Sequence, residues 1–356
     1  MLIWTGWPLC NLARRAEAFI QKPTVKGATP MTKLVTIIGG SGFVGRYIAR
    51  RMAKEGWRVR VAVRRPNEAL FVRPYGAVGQ VEPVQCNIRD EASLRSVIRG
   101  ADAVVNCVGI LNRAGKNTFD AVQAEGAGRV ARIAAAEGVA HLVQISAIGA
   151  DAGSASAYAR TKAKGEAAVL AAFPGAMILR PSIVFGNEDG FFNRFAAMAR
   201  FGPVLPVVGA ATRFQPVFVD DVAQAAVKGV LGASGTYELG GPDVETFRAL
   251  MGRMLHVIQR RRLVLNMPFF VASIMGGAFD FLQFATGGLF NNGLVTRDQV
   301  ANLRRDNVVA PDAKTFADLG IVPTSMDSVL PEYLWRYRPS GQYAAIKDSA
   351  KNLKKV

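Results

Sequence analysis

Short apolar runs alternate with amphipathic segments along most of this chain. The first run, Leu34–Ile38, is rich in β-branched residues and predicts a buried strand. Further strands are predicted over Arg58–Val63, Val81–Cys86, Ala103–Val108, Leu142–Ser146, Ala176–Leu179 and Gly235–Leu239. Helices are predicted over Phe43–Glu55, Ala92–Arg99, Thr118–Glu137, Tyr158–Ala172 and Ala223–Leu231. This alternation predicts an α/β fold, a doubly wound parallel sheet covered by helices on both faces.

The alternation weakens after the sixth predicted strand, where segments rich in Phe, Gly and Pro run to Gln215. The remainder, to about Trp335, is mixed and more helical. The sequence therefore predicts a first domain from residues 31–181 and 217–239, and a smaller, mostly helical domain from residues 182–216 and 240–335. A basic tail over residues 336–356 is expected to dock on a partner or on lipid.

Residues 1–30 form an N-terminal extension before a second methionine, Met31. The extension has four basic residues and one acid, and its apolar and basic parts are not in the order of a secretory signal. It is either an organellar transit peptide or a stretch before the true start at Met31. Under both interpretations we expect it to add nothing to the core fold.

The composition indicates a globular protein, since half of the 356 residues are hydrophobic and only 20% are charged. The three cysteines, Cys10, Cys86 and Cys107, have no paired or metal-ligand spacing, which fits a reducing compartment. The two histidines, His141 and His256, lie far apart in the sequence. We therefore expect no metal site and no Ser–His–Asp triad.

The net charge of +17 favours a partner with an anionic surface. The sequence contains no recognised nucleic-acid-binding motif and no basic stretch interleaved with aromatic residues. We therefore expect a phospholipid surface or a protein as the partner, and no nucleic acid.

A glycine-rich segment, GGSGFVG, follows the first predicted strand and opens the first predicted helix. The N–H groups and the dipole at a helix N-terminus favour an anion, and glycines let a pyrophosphate approach closely. In this context the segment predicts a Rossmann site for a nicotinamide dinucleotide. The expected contacts come from Gly39, Ser41, Gly42, Phe43, Val44 and Gly45. The alternative is a tight strand–helix turn that binds nothing.

The end of the second predicted strand indicates which dinucleotide binds. NAD sites usually place an acid there, about 20 residues past the loop, to hold the ribose 2′-hydroxyl. This chain has Arg64 and Arg65 instead, and two guanidinium groups can pair with the extra phosphate of NADP. We therefore expect NADP(H) rather than NAD(H), unless the arginines only point into solvent.

Further motifs follow in order along the chain. They are Asn87–Asp90, Asn106–Gly109, Ser146, Tyr158–Lys162, Leu179–Gly186 and Val219–Val222. With the glycine loop, these motifs resemble those of the extended and atypical short-chain dehydrogenase/reductases over about residues 33–245. The resemblance implies cofactor contacts from Asn87, Ile88, Val108, Gly109, Tyr158, Lys162 and Pro181. Asn87 replaces an aspartate that is common in the family, and Gln123 lies where many members have an asparagine.

Within that superfamily the chain resembles the nucleotide-binding accessory subunits of respiratory complex I, the alpha subcomplex subunit nine family with its bacterial relatives. The similar parts are Ile37–Gly45, Val108–Leu111, Arg180–Gly186 and the basic, apolar C-terminal region. The resemblance implies bound NADP(H), partners among the other subunits of a membrane respiratory complex, and a structural role. It also implies a peripheral position on the cytoplasmic face of a bacterial inner membrane, or on the matrix side of the mitochondrial inner membrane.

The superfamily resemblance leaves a catalytic role open. In catalytic members a lysine four residues after a tyrosine lowers the tyrosine pKa and binds the nicotinamide ribose, and the tyrosine exchanges a proton with the substrate. Tyr158 and Lys162 match this pair, and Ser146 lies 12 residues before Tyr158, near the position of a substrate-orienting hydroxyl. A scaffold needs the same pair to hold its cofactor. The alternatives are therefore an accessory subunit and a free-standing reductase, epimerase or dehydratase.

A long apolar segment, Leu263–Thr296, carries a single charge, Asp280, and follows directly after Arg260–Arg262. Phe270, Ile274, Ala278 and Leu282 keep a four-residue spacing, which predicts one apolar helical face. No membrane span is expected, because Pro268, Gly276, Gly277 and Asp280 interrupt the segment. The segment is either an interfacial helix flanked by arginines or a core helix of the smaller domain.

Overall fold

The computed structural model describes residues 32–113, 115–285 and 296–343. Their strands are β1 (Leu34–Ile38), β2 (Arg58–Val63), β3 (Val81–Gln85), β4 (Ala103–Asn106), β5 (His141–Ile145), β6 (Met177–Pro181), β7 (Val184–Phe185), β8 (Val204–Val208), β9 (Arg213–Phe214), β10 (Val217–Phe218), β11 (Gly235–Leu239), β12 (Glu245–Thr246) and β13 (Leu263–Met267). Seven strands form one parallel sheet in the order β3-β2-β1-β4-β5-β6-β11. The predicted doubly wound parallel sheet is confirmed.

Helices connect these strands and cover both faces of the sheet. They are α1 (Phe43–Lys54), α2 (Glu91–Ile98), α3 (Glu125–Ala136), α4 (Ala157–Ala172), α5 (Phe192–Met198), α6 (Val219–Val230), α7 (Phe247–Val257), α8 (Phe269–Ala285), α9 (Arg297–Asn302) and α10 (Met326–Leu334). Short 3₁₀ helices lie at Pro66–Tyr75, Ala317–Leu319, Trp335–Tyr337 and Gly341–Tyr343.

The helix predicted over Thr118–Glu137 differs from the observed one. It begins with a π-helical turn, Asp120–Ala124, and continues as α3. The carbonyl of Gln123 lies 2.3 Å from an ideal Cβ position on Gly165 of α4, so only a glycine allows this approach. The turn and α4 are therefore in direct backbone contact at Gly165.

The apolar strand residues are buried between two layers of helices. Because successive side chains alternate between the faces of a strand, Val35 and Ile37 pack with α1 and α6, whereas Ile38 packs with α2 and α3. This burial on both faces explains why the strands appear in the sequence as continuous apolar runs.

A third buried cluster lies outside this sheet. Its phenylalanine rings contact one another: Phe185, Phe191, Phe192, Phe195, Phe214, Phe218 and Phe247. α7 and α10 add Leu250 and Leu330. Phe316 and Ile321, in contrast, pack with the sheet cluster that contains Val35. The boundaries of the two domains stay a prediction.

No helix in the ranges that the structure describes is long and apolar enough to cross a bilayer. The N-terminal extension and most of the basic tail lie outside those ranges. The first arginines of the tail contact the chain itself, since Arg336 donates to Asn193 Oδ1 and Arg338 to Val257 O.

Candidate functional site

The residues expected to contact the cofactor follow the carboxyl ends of neighbouring strands. The end of β1 pairs with the ends of β2 and β4, so the glycine loop, Arg64 and Val108 leave the sheet at one edge. Asn87 follows β3 and Pro181 ends β6 at the same edge. The strand order reverses between β1 and β4, which is where ligands bind in open α/β sheets.

Two glycines of the loop are required by its own packing. Gly39 has a φ of +77°, and an ideal Cβ there lies 3.0 Å from Val108 Cγ2. An ideal Cβ on Gly45 lies 2.5 Å from Gly39 O and 2.7 Å from Gly40 Cα. These contacts hold the start of α1 against the ends of β1 and β4.

Gly42 has a different role in the loop. Its backbone is extended, and an ideal Cβ there meets only Gly39 O, at 3.1 Å. Gly42 is the N-cap of α1 and offers no side-chain oxygen to the first N–H groups of the helix. The exposed N-terminus of α1 is therefore open to an anionic ligand.

The two arginines after β2 are both exposed but differ in their partners. Arg65 Nη1 pairs with Glu68 Oε1 at 2.9 Å. Arg64 has no hydrogen-bonding or ion-pair partner within the part of the chain that the structure describes. Arg64 is therefore the more available of the two for a phosphate at this edge.

The turn after β3 is held by hydrogen bonds of its own. The backbone N–H of Asn87 donates to Ser93 Oγ at 3.0 Å, and Asn87 Oδ1 accepts from the Arg89 N–H at 3.2 Å. Ile88 is buried, and its carbonyl accepts from Arg129 Nη1 at 3.0 Å. Asn87 thus has a fixed position beside the end of β2.

Tyr158 and Lys162 lie one turn apart on α4. Lys162 Nζ stands 5.9 Å from the centroid of the Tyr158 ring and donates to Ile145 O at 3.2 Å. Phe119 packs edge-on against the Tyr158 ring, with 6.0 Å between the centroids. Lys162 Nζ is also 3.3 Å from an ideal Cβ on Gly109. The structure therefore brings the tyrosine–lysine pair to the loop that follows β4.

Burial dominates the acid–base properties of this pair. It raises the pKa of Tyr158 to about 12, with a smaller effect from Asp298. It lowers the pKa of Lys162 to about 8, against the opposing attraction of Glu166 and Cys107. At neutral pH Tyr158 is therefore a phenol and most of Lys162 is an ammonium ion. Burial also raises the pKa of the Cys107 thiol to about 12, which makes it unreactive.

Ser146 belongs to a buried polar network behind this pair. Its hydroxyl donates to Glu166, and Arg180 binds the same carboxylate through Nε at 3.0 Å and Nη2 at 2.6 Å. Arg180 also pairs with Glu238 at 3.4 Å. The one hydrogen that the Ser146 hydroxyl can donate is used by Glu166, and the next residue, Ala147, has no hydroxyl.

Gln123 is buried and bonded within the protein as well. Its Nε2 donates to Ile110 O at 2.6 Å, and its Oε1 accepts from Thr161 Oγ1 at 3.3 Å. The side chain therefore joins α4 to the loop after β4.

Sequence reasoning missed one residue that positions Tyr158. The carboxylate of Asp298 accepts the backbone N–H groups of Ala157, at 2.6 Å, and Tyr158, at 3.2 Å, and the hydroxyl of Ser156, at 2.8 Å. A carboxylate at a helix N-terminus satisfies free N–H groups and complements the helix dipole. The only sequence signal is the capping box of Thr296 and Gln299, which marks the start of α9 but not the contact with α4.

The model of the NAD dependent epimerase/dehydratase family matches residues 35–232, more than half of the chain. This range includes the glycine loop, Tyr158 and Lys162. The chain belongs to the NAD dependent epimerase/dehydratase family.

Proteins with related sequences include respiratory subunits and a reductase. NADH dehydrogenase [ubiquinone] 1 alpha subcomplex subunit 9 of Arabidopsis thaliana is 33% identical over 93% of this chain and 85% of that protein. Ceramide reductase of Caulobacter vibrioides is 31% identical over 68% of this chain and 75% of that protein. The expected resemblance to the subunit nine family is confirmed.

Solved structures of the epimerase/dehydratase family share the fold. The dTDP-glucose 4,6-dehydratase DesIV from Streptomyces venezuelae, solved with NAD and TYD bound, superposes with a TM-score of 0.63. It is 20% identical, and the match covers 88% of this chain and 99% of that one.

The described residues fit the dinucleotide that proteins of the epimerase/dehydratase family bind. Gly42 leaves the N-terminus of α1 without a side-chain cap, which suits a pyrophosphate. Arg64 is an exposed cation without a partner among the described residues, and Lys162 presents an ammonium at the loop after β4. Groups that suit a phosphate or a ribose therefore lie along the edge of the sheet where β1, β2 and β4 end.

Proposed function

We propose that this chain is an NADP(H)-binding accessory subunit of respiratory complex I, held peripherally at the membrane. The observation that carries the proposal is that the hydroxyl expected to orient a substrate, that of Ser146, is engaged by Glu166. The similarity to NADH dehydrogenase subunit 9 supports the complex as the partner. The location is the cytoplasmic face of a bacterial inner membrane or the matrix side of the mitochondrial inner membrane.

Different residues of the chain would bind different parts of the cofactor. When bound, a nicotinamide dinucleotide supplies a group for hydride transfer. The N–H groups at the start of α1 would hold the pyrophosphate, Arg64 the 2′-phosphate and Lys162 the nicotinamide ribose. In an accessory subunit these contacts retain the cofactor and stabilise the fold by mass action.

The preference for NADP(H) is testable with a matched pair of arginine variants. Arg64→Ala should weaken NADPH binding by about tenfold or more, because a charge-assisted bond to a phosphate contributes about 1.5–3 kcal/mol. NADH binding should change by less than about twofold. Arg65→Ala is the control, since Arg65 already pairs with Glu68, and it should have the smaller effect. Equal affinities of the unmodified chain for NADPH and NADH would refute the preference.

An apolar outer surface supports the peripheral location. β13 pairs with β8 in register, so Leu263 lies beside Val204, and both side chains are exposed. On α8, Phe270 and Ile274 are 66% and 70% exposed, and Ala278 shares their exposed side of the helix. Leu282 lies outside the residues whose side chains are described. We refer to the exposed apolar side chains Phe201, Val204, Leu263, Leu265, Phe270 and Ile274 together as the outer face.

The charges beside the outer face favour an anionic phospholipid surface as its partner. Residues 190–219 and 246–279 contain eight arginines and no Asp, Glu or Lys, and two of these arginines, Arg213 and Arg253, pair with acids from outside these ranges. Burial and then repulsion from Arg262 and Arg200 lower the pKa of Arg260, so these guanidinium groups lie near one another. Apolar side chains bordered by cations are typical of surfaces that lie on anionic bilayers.

Purification from native membranes tests the proposed function as a whole. The tagged full chain should co-migrate with a large NADH-oxidising complex after mild solubilisation, and should carry NADP(H) after release. A chain that is recovered only as a free protein, at normal expression, would contradict the accessory role.

A reductase for a lipid-like carbonyl is the second candidate. The similarity to ceramide reductase favours it, together with the protonated Tyr158 and charged Lys162 of the cleft. Turnover of NADPH with a long-chain keto-amide by the purified chain would favour this function over the accessory role.

A further inference from the structure

A segment that we call the strap, residues 296–310, crosses the edge of the sheet beside Tyr158. Its contacts follow the order of the strands. Gln299 donates to Asn112, after β4, at 3.2 Å, and Arg305 donates to Asp151, after β5, at 2.9 Å. Farther along the strap, Asn307 Oδ1 accepts from the hydroxyl of Ser182, after β6, at 2.6 Å. The backbone N–H of Ala310 donates to Glu238 of β11 at 3.0 Å. The strap therefore spans four neighbouring strand ends.

The strap also fixes the helix that carries Tyr158. Asp298 accepts the backbone N–H groups of Ala157 and Tyr158. These N–H groups belong to the first turn of α4, which has no intrahelical acceptor for them. The position of Tyr158 therefore depends on where the strap holds Asp298.

The other side of the strap packs against α8. An ideal Cβ on Gly276 lies 3.0 Å from the backbone N of Arg297 and 3.1 Å from the carbonyl carbon of Thr296. Ala272 and Val300 are buried in one small cluster at the same junction. The opposite side of α8 exposes Phe270 and Ile274 of the outer face. One helix thus touches both the strap and the surface that would meet a bilayer.

We propose that docking of the outer face on an anionic bilayer tightens NADP(H) binding, with Asp298 as the positioning residue that transmits the effect. A docked α8 is restricted, and its backbone contact with Thr296 and Arg297 restricts the strap and the first turn of α4. A cofactor that binds Tyr158 and Lys162 then loses less conformational freedom. The inference rests on the proposed function, because it requires both the cofactor and the bilayer.

Fluorescence titration of the full chain with NADPH measures this coupling. Vesicles of phosphatidylcholine with phosphatidylglycerol should lower the Kd by at least about fivefold, which corresponds to about 1 kcal/mol of coupling. Vesicles of phosphatidylcholine alone should leave the Kd unchanged. Because coupling is reciprocal, saturating NADPH should tighten vesicle flotation by the same factor.

Two variants should remove the coupling by different routes. Asp298→Asn should reduce it to less than about twofold, while flotation on anionic vesicles persists. Gly276→Ala pushes α8 away from the backbone of the strap and should also remove the coupling. The affinity for the cofactor in the absence of vesicles should stay unchanged. Asp151→Asn is the matched control, since it breaks an exposed ion pair between the strap and the loop after β5 without touching α4, and it should keep the coupling.

Separate measurements distinguish the possible failures. The coupling alone is overturned if the unmodified chain floats with anionic vesicles but has the same Kd for NADPH with and without them. Full coupling in Asp298→Asn would overturn the role of Asp298. Flotation only on native membranes that contain protein would overturn the lipid docking and the coupling with it. Failure to bind NADPH in any condition would overturn the proposed cofactor function.

Discussion

The two halves of the cofactor cleft are specified in different ways. The glycine-loop half is one continuous segment, residues 34–45, whose geometry follows mainly from the positive φ of Gly39 and from the contact of Gly45 with the backbone of Gly39 and Gly40. The Tyr158 half depends on residues that are distant in sequence. The N–H of Tyr158 donates to Asp298, 140 residues away, and Lys162 donates to Ile145, 17 residues away.

This difference separates what each half can do. Backbone N–H groups at a helix N-terminus bind an anion wherever the loop is intact, so the first half binds phosphate largely independently of its surroundings. The second half holds side chains whose positions and pKa values depend on tertiary packing. We therefore expect the first half to anchor the cofactor and the second half to respond to the state of the rest of the molecule.

The largest expected effect tests the local character of the glycine-loop half. Gly45→Ala places a Cβ against Gly39 O and Gly40 Cα, both backbone atoms that cannot rotate away. The substitution should lower the free energy of unfolding by about 3 kcal/mol, measured by urea denaturation without cofactor.

Gly42→Val is the partner variant in the same loop. Its backbone conformation is open to any residue, so the free energy of unfolding should change by less than about 1 kcal/mol. The branched side chain should nevertheless weaken NADPH binding by at least about tenfold, about 1.4 kcal/mol, because it fills the approach to the N-terminus of α1. A Gly42→Val chain with unchanged NADPH affinity would show that the pyrophosphate does not bind there.

The fold could largely be predicted from the sequence because its strands are buried on both faces. β1, β2 and β11 begin and end at the predicted residues. β4 ends at Asn106, two residues before the predicted end, because the Asn106 side chain accepts the N–H of Val108 and turns the chain out of the sheet. α5 was not predicted, since it has only seven residues, of which Phe192 and Ala196 are buried, and so short a segment gives no clear amphipathic period.

The candidate site could be predicted only in its local part. The glycine loop, Arg64 and the spacing of Tyr158 and Lys162 are visible as short motifs. Ser146 donates to Glu166, 20 residues away, and Asp298 caps α4 at Tyr158, 140 residues away. No pattern within one segment of the sequence indicates either contact. Only the packing of α4 against the sheet and the strap determines these contacts.

The Tyr158 half should respond unequally to the loss of its two polar groups. Lys162→Ala should weaken NADPH binding by about 10–100-fold, because the hydrogen bond from the buried ammonium group to the ribose is lost. Tyr158→Phe should weaken binding by less than about threefold, since one neutral hydroxyl contributes about 0.5–1 kcal/mol. Complex assembly in membranes should follow the same order. Loss of respiratory function in Tyr158→Phe, with normal protein level and bound cofactor, would instead establish general acid catalysis.

A pH dependence of cofactor binding should arise in the Tyr158 half alone. Burial lowers the pKa of Lys162 from 10.5 to about 8 in the free protein, so the ammonium is progressively lost as the pH rises from 7 to 9. Binding to the ribose requires the ammonium, and NADPH affinity should therefore fall up to about tenfold over this range. Tyr158 and Cys107, with pKa values of about 12, do not titrate there.

The stability of the cofactor-free protein should change in the opposite direction. Between the folded pKa of about 8 and the unfolded value of 10.5, the unfolded chain binds more protons at Lys162 than the folded chain does. The contribution of this group to the free energy of unfolding therefore rises with pH in that window, as the cost of a buried charge is relieved. Lys162→Met should flatten both pH profiles. If NADPH affinity in this variant still declines between pH 7 and 9, the titrating group is not Lys162, and the pH dependence does not arise from the ammonium of the Tyr158 half.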